Sequence, residues 1–241
     1  MITTSQTRAL EHEVYARGDG EVALRSASRM TAADVKAQIE AQVKSALDQA
    51  LTTQRQELAE PLLWWDLFAI GPIQPIGIPA PLLPHQVIKV GEPAFVATIL
   101  VLNPALVLFP GTTAADVLSN FALPYEVQYC TGNICTWTLG QADMNVVHSG
   151  PGFNLIPGVF AYVDVLGFTA TTPGLYELNI AARILGATPP FVNAPQFAGY
   201  ATAVIDIDAA IAGFVGTVPG VPGPGPVVNL GQPCRFQIYP A

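Results

Sequence analysis

The chain has 241 residues, enough for a large core, and a formal net charge of -8. An acidic chain lacks the basic footprint that phosphate backbones require, which argues against a nucleic-acid partner. Charge is also unevenly spread: sixteen of the 28 acidic and basic residues fall in residues 1–60, leaving twelve for the other 181, about 7% where roughly 25% is ordinary. Between Lys89 and Arg183 there is no Lys or Arg. The sequence therefore predicts large apolar patches on a free monomer, and such patches mark contact surfaces.

Residues 1–30 read as an N-terminal arm with a hairpin, because residues 14–17 and 21–24 flank Gly18-Asp19-Gly20, whose glycines permit a tight loop. Arg17-Gly18-Asp19 is the tripeptide that integrins recognise, but the turn explains it sufficiently. Residues 31–60 predict one long amphipathic helix. Thr31 is an N-cap answered by Asp34, and Val35, Ile39, Val43, Leu47 and Leu51 form a single apolar stripe that Pro61 brings to an end. A stripe this narrow needs a partner, either the chain's own β body or sister helices from other copies.

Residues 61–85 form a Pro-rich connector with an apolar strand. Trp64 and Trp65 open it and, if extended, point to opposite faces, one into the core and one toward a partner. From residue 86 strand signals recur: 86–90, 95–102, 125–130, 134–139, 159–168, 175–185, 197–207 and 236–239, with Gly and Pro between them. That cadence predicts a mainly β fold, an antiparallel sandwich filling residues 86–216. The uncharged run 93–115 is broken by Asn103-Pro104 and Pro110-Gly111, so it predicts two buried strands and no integral membrane span. Residues 217–241 read as a Pro-Gly tether, over 217–233, and a terminal strand, Cys234 to Tyr239. Phe236, Ile238 and Tyr239 either close their own sheet or complete another subunit's.

Two stretches, 87–97 with its Val90-Gly91-Glu92 corner and 173–180 with Pro173-Gly174-Leu175-Tyr176, resemble immunoglobulin-like and fibronectin-like bacterial domains. The resemblance spans residues 86–210. It lacks the inter-sheet disulfide and strand-C Trp of antibody domains, and it implies a sandwich used for assembly or adhesion without an activity.

Residues that carry chemistry are sparse. Cys130 and Cys135 flank a four-residue loop that would place them at disulfide distance, with free thiols the other reading; Cys234 is the odd one. Asp143, His148 and Ser149 have the residue types of a hydrolytic triad, but adjacent His and Ser face apart, and a polar loop is the plainer reading. Asp206 and Asp208, on one face of a strand, offer oxygen ligands for Ca²⁺ together with Asp164 or Glu177, against the plainer reading of a solvated strand end. Neither a phosphate-binding Gly loop nor a dinucleotide fingerprint occurs. The sequence thus predicts no enzyme, no cofactor and no metal. Its first reading is a self-assembling homo-oligomeric subunit of a filament, sheath or shell, held by strand exchange and apolar contacts. Its second is a binding module for a glycan or a surface protein through Trp64, Trp65, Trp137 or Tyr125. Residues 1–10 are polar and lack the apolar stretch of a cleavable signal, so cytoplasmic assembly and non-classical export are both compatible with the sequence.

Overall fold

A computed structural model describes residues 30–53, 65–74, 84–102, 124–152, 155–156, 161–184, 198–216 and 233–240. The N-terminal hairpin, Trp64 and residues 217–232 of the Pro-Gly tether lie outside these residues, as do the side chains of Leu51 and Trp65. The strands are β1 (Trp65–Ile73), β2 (Val87–Lys89), β3 (Pro93–Leu102), β4 (Tyr125–Asn133), β5 (Thr138–Leu139), β6 (Val147–Gly150), β7 (Ala161–Thr169), β8 (Gly174–Ile184), β9 (Ala198–Tyr200), β10 (Thr202–Val204) and β11 (Cys234–Tyr239). The helices are α1 (Ala32–Thr53) and α2 (Ile207–Gly216), with a 3-10 turn at Ala142–Met144.

Strand alternation explains the layering. Along β3, Val96, Leu100 and Leu102 point into one core and Phe95, Ala97, Ile99 and Val101 into another, so this strand is apolar on both faces and reads as an unbroken apolar run. β3 lies inside a four-stranded sheet of order β10-β1-β3-β7. One face of that sheet packs on a second sheet, of order β2-β11-β8-β4-β5, with β6 also on β4 and β9 also on β8. The other face is covered by α1 and α2. Helices, first sheet and second sheet therefore form three layers around two cores.

This layering accounts for much of the missing charge. A sheet covered on both sides has no use for ionic residues, and four of the body's twelve pair on the outer face of the second sheet. There Glu126 pairs with Arg183 at 2.5 Å and Glu177 with Arg235 at 2.9 Å. Those ion pairs are exposed at the surface, which gives this face a polar character.

The sheets are mixed, which corrects the purely antiparallel expectation. β1 runs parallel to β10 and β11 parallel to β2, whereas β1/β3, β3/β7, β4/β8 and β8/β11 are antiparallel. Both parallel pairs join strands remote in sequence, with ample chain between them for the crossover that parallel pairing needs.

α1 begins as its cap chemistry dictates. The Asp34 amide donates to Thr31 Oγ1 at 3.2 Å, and the Thr31 amide donates to Asp34 Oδ2 at 2.7 Å, a reciprocal box at the positive end of the helix dipole. These bonds from Thr31 hold the Asp34 carboxyl below the usual range. Val35, Ile39, Val43 and Leu47 are all buried against the first sheet and α2, each such burial stabilising by roughly 1.5–3 kcal/mol. Of the two packings that the stripe allows, the chain's own β body is the one observed.

The expected strand over 197–207 is corrected to three elements. β9 pairs with β8, β10 pairs with β1, and Ala201 between them is the point where the chain passes from one sheet to the other. Asp206 then caps α2: its Oδ1 accepts from the amides of Asp208, at 2.9 Å, and Ala209, at 3.2 Å. Ile207, Ile211 and Phe214 follow at helical spacing and are buried.

Candidate functional site

The surface departs furthest from a hydrated β sandwich at the β4–β5 hairpin. β4 extends to Asn133, three residues past the predicted end, and the turn occupies residues 134–137. Asn133 organises it: its Oδ1 accepts from the amides of Cys135, at 3.0 Å, and Thr136, at 3.2 Å, while its carbonyl accepts from the Trp137 amide at 2.9 Å. The Ile134 amide donates to the Leu175 carbonyl at 2.9 Å, which fastens the turn to β8. Trp137 sits at φ 56°, the left-handed region, and is 88% exposed; Leu139, two residues on, is 81% exposed. A turn alone would be satisfied by Gly or Asn at this φ, at about 1–2 kcal/mol less strain. Neither the turn nor the core explains a tryptophan here.

A polar clasp lies between the sheets, toward the edge formed by β6 and β7. Asp164 of β7 accepts from the Tyr129 hydroxyl of β4 at 2.7 Å and stands 2.7 Å from His148 Nδ1 of β6, and the Tyr129 hydroxyl is also 2.9 Å from Thr98 Oγ1 of β3. The Tyr129 and His148 rings meet edge to face at 5.2 Å. Burial, then the Asp164 charge, raises the Tyr129 phenol well above its ordinary range, against a smaller opposing effect of Thr98. Beside it the Tyr162 hydroxyl donates to that of Tyr125 at 2.6 Å, and desolvation raises the Tyr162 phenol as well. With every group satisfied, the cluster joins two sheets.

The residues singled out in the sequence divide as follows. Phe236 and Ile238 point into the core from β11, which lies between β2 and β8 in its own sheet, and Tyr239 faces outward from the same strand. Asp143 accepts from the Thr169 amide at 3.1 Å, His148 pairs with Asp164 and Ser149 faces outward, so the three triad types are not brought together. The four acids proposed as oxygen ligands are equally dispersed: Asp206 caps α2, Asp208 lies in its first turn, Asp164 holds Tyr129 and His148, and Glu177 holds Arg235.

Cys130 and Cys135 are free, exposed thiols in this structure, the second of the two readings the sequence offers. The longer β4 is the reason. Gly132 pairs with Leu139 and Asn133 with Thr138, so Cys135 rides on the turn while Cys130 stands back along the strand, opposite Asn179 of β8. Trp137 was named in the sequence only as one aromatic among several, and His148–Asp164 was not foreseen. Sixteen residues separate that pair, and nothing local joins them.

No protein-family model matches the sequence, and no curated protein matches it. Among solved structures, the chain is similar to the CARDB domain of the PF1109 protein from Pyrococcus furiosus, crystallised in complex with di-metal ions. The two are 16% identical with a TM-score of 0.27, over 62% of this chain and 95% of that one. It is also similar to part of a β-glucosidase from Listeria innocua in complex with glucose, 7% identical with a TM-score of 0.25, over 58% of this chain and 16% of the enzyme. These likenesses agree with a β sandwich and carry no argument about function. No described helix is long and apolar enough to cross a membrane.

Proposed function

We propose that the chain is a structural, non-enzymatic subunit that associates with copies of itself, its contact surface being the apolar tip of the β4–β5 hairpin. The observation that carries this is Trp137, held almost fully in water in a strained backbone conformation beside the equally exposed Leu139. Large aromatic side chains on rigid supports are the usual anchors of protein contacts. α1 and β11 are closed on their own sheets, so the contact is made by side chains and needs no donated strand from the described residues. The assembly is a filament, sheath or shell according to its symmetry.

Two local features support reading the sandwich as one of the immunoglobulin-like modules. Gly91 turns the β2–β3 corner at φ 88°, and the Tyr176 hydroxyl at the start of β8 donates back to the Thr172 carbonyl at 3.0 Å, the tyrosine corner of such sandwiches.

Sedimentation velocity over a concentration series tests self-association. The wild type should form species above its 25.4 kDa monomer mass, and Trp137→Gly, which suits the turn, should remain a folded monomer. A wild type that stays monomeric at every concentration overturns the proposal.

A second reading, a binding module for a glycan, draws on Tyr200. It is 74% exposed on the outer face of the second sheet, in register with Ala181 and Gln128. Retention on a glycan array that is lost in Tyr200→Ala would favour that reading.

A further inference from the structure

We infer that a second copy of this chain receives Trp137 in the groove beside β10, so that association runs head to tail. This rests on the hairpin as the contact surface and adds its receptor.

β10 ends the first sheet's strand order. Between it and α2 lies a cavity of about 520 Å³, floored by Phe68, Val204, Ala210 and Phe214. A second space, of about 430 Å³, lies on the side of β10 toward β11 and shares Ala203, Val204 and Ile205 with the first, but it is the cavity against α2 that forms the receptor groove. Its size is that of a typical small-molecule site, ample for an indole. Its chemistry also matches. The walls are apolar, and Asp66 and Asp206 line them with carboxylate acceptors, which a buried indole N–H requires. Ile205, at its lip, is 74% exposed.

Knob and groove lie at opposite edges of the sandwich. The bonds from Asp164 set β7 over β4 and β6, on the hairpin side, whereas Ala203 and Val204 of β10 share a cavity with Cys234 and Arg235 of β11. One molecule therefore cannot fill its own groove with its own Trp137. A contact between two copies leaves one knob and one groove unused, so the interface is heterologous and closes into a ring or continues as a filament.

Complementation between two variants of the full chain tests this. Trp137→Gly removes the knob. Gly213→Trp fills the groove from α2, where an added Cβ meets nothing within 4 Å. Each variant alone should self-associate at least ~30-fold more weakly than the wild type, the weakening expected for loss of an anchor residue. An equimolar mixture should give a 1:1 heterodimer and nothing larger, since it contains one intact knob and one intact groove. If Gly213→Trp fails to fold by circular dichroism, Ile205→Asp takes its place with the same expectation. A groove variant that associates like the wild type overturns the groove and leaves the hairpin contact standing. Trp137→Gly associating like the wild type overturns both.

Discussion

The Tyr129 hydroxyl donates to Asp164 Oδ2 at 2.7 Å across the gap between the two sheets, and the same carboxylate oxygen stands 2.7 Å from His148 Nδ1. One acid thus serves a strand of the second sheet's interior and a strand at its edge. Asp164→Ala leaves His148 without this partner and the Tyr129 hydroxyl with Thr98 alone. A loss of about 1–3 kcal/mol is expected, read from the urea midpoint, with Tyr129→Phe costing about 1 kcal/mol and the double mutant showing non-additivity. The pH response has a definite sign. Burial and the Asp164 charge raise the folded-state Tyr129 phenol above its unfolded value near 10, so its contribution is fully present below that pH and fades as pH climbs beyond it. Alkaline melting curves of the wild type and Tyr129→Phe should diverge there.

Ile39, in the middle of the α1 stripe, is buried against the first sheet of its own chain. Ile39→Ala should destabilise the fold by about 2–5 kcal/mol and leave the dissociation constant for self-association unchanged in conditions where the variant remains folded. A stripe lying between copies would give the opposite pattern, with association lost and the monomer's melting temperature preserved.

The three cysteines should separate by reactivity. Cys130 and Cys135 are exposed, whereas burial pushes the Cys234 thiol up to about 12. Alkylation near pH 8 should modify two thiols in the native protein and the third only after unfolding. Because the Cys234 value is raised, the neutral thiol favours the folded state below its unfolded value near 9, and that contribution is lost as pH rises toward 12.

Trp137 should show opposed effects on stability and association. Glycine relieves the left-handed backbone cost of about 1–2 kcal/mol but adds freedom to the unfolded chain. Trp137→Gly is therefore expected to melt at the wild-type temperature or a few degrees above it while associating more weakly. A fold that depended on this side chain would melt lower.

Local chemistry was legible in the sequence and long-range pairing was not. The Thr31–Asp34 box and the stripe from Val35 to Leu47 follow from spacing alone, and β3 follows from an apolar run bounded by Pro93 and Asn103. α2 was missed because Asp206-Ile207-Asp208 alternates like a strand end. The better signal was Asp206 as an N-cap followed by Ile207, Ile211 and Phe214 at steps of four and three. The hairpin was misplaced because Thr131-Gly132-Asn133 looks like a turn, whereas Asn133 begins the turn through its side chain and Thr131 and Gly132 remain in the strand. The parallel pairs β1/β10 and β2/β11, and the meeting of His148 with Asp164, depend on tertiary packing that no short window of sequence records. The low charge of the body was legible, and part of it belongs to a sheet covered by α1 and α2 on one face and by the second sheet on the other.

Hydroxyl-radical footprinting of the wild type across a concentration series tests the central claim most directly, because it reads the hairpin itself. Oxidation of Trp137 should fall as molecules associate, while that of Tyr200, exposed on the outer face of the second sheet, should hold constant. Equal Trp137 oxidation at the lowest and highest concentrations, in a sample shown by mass to be associated, would contradict the assignment of the contact to this hairpin.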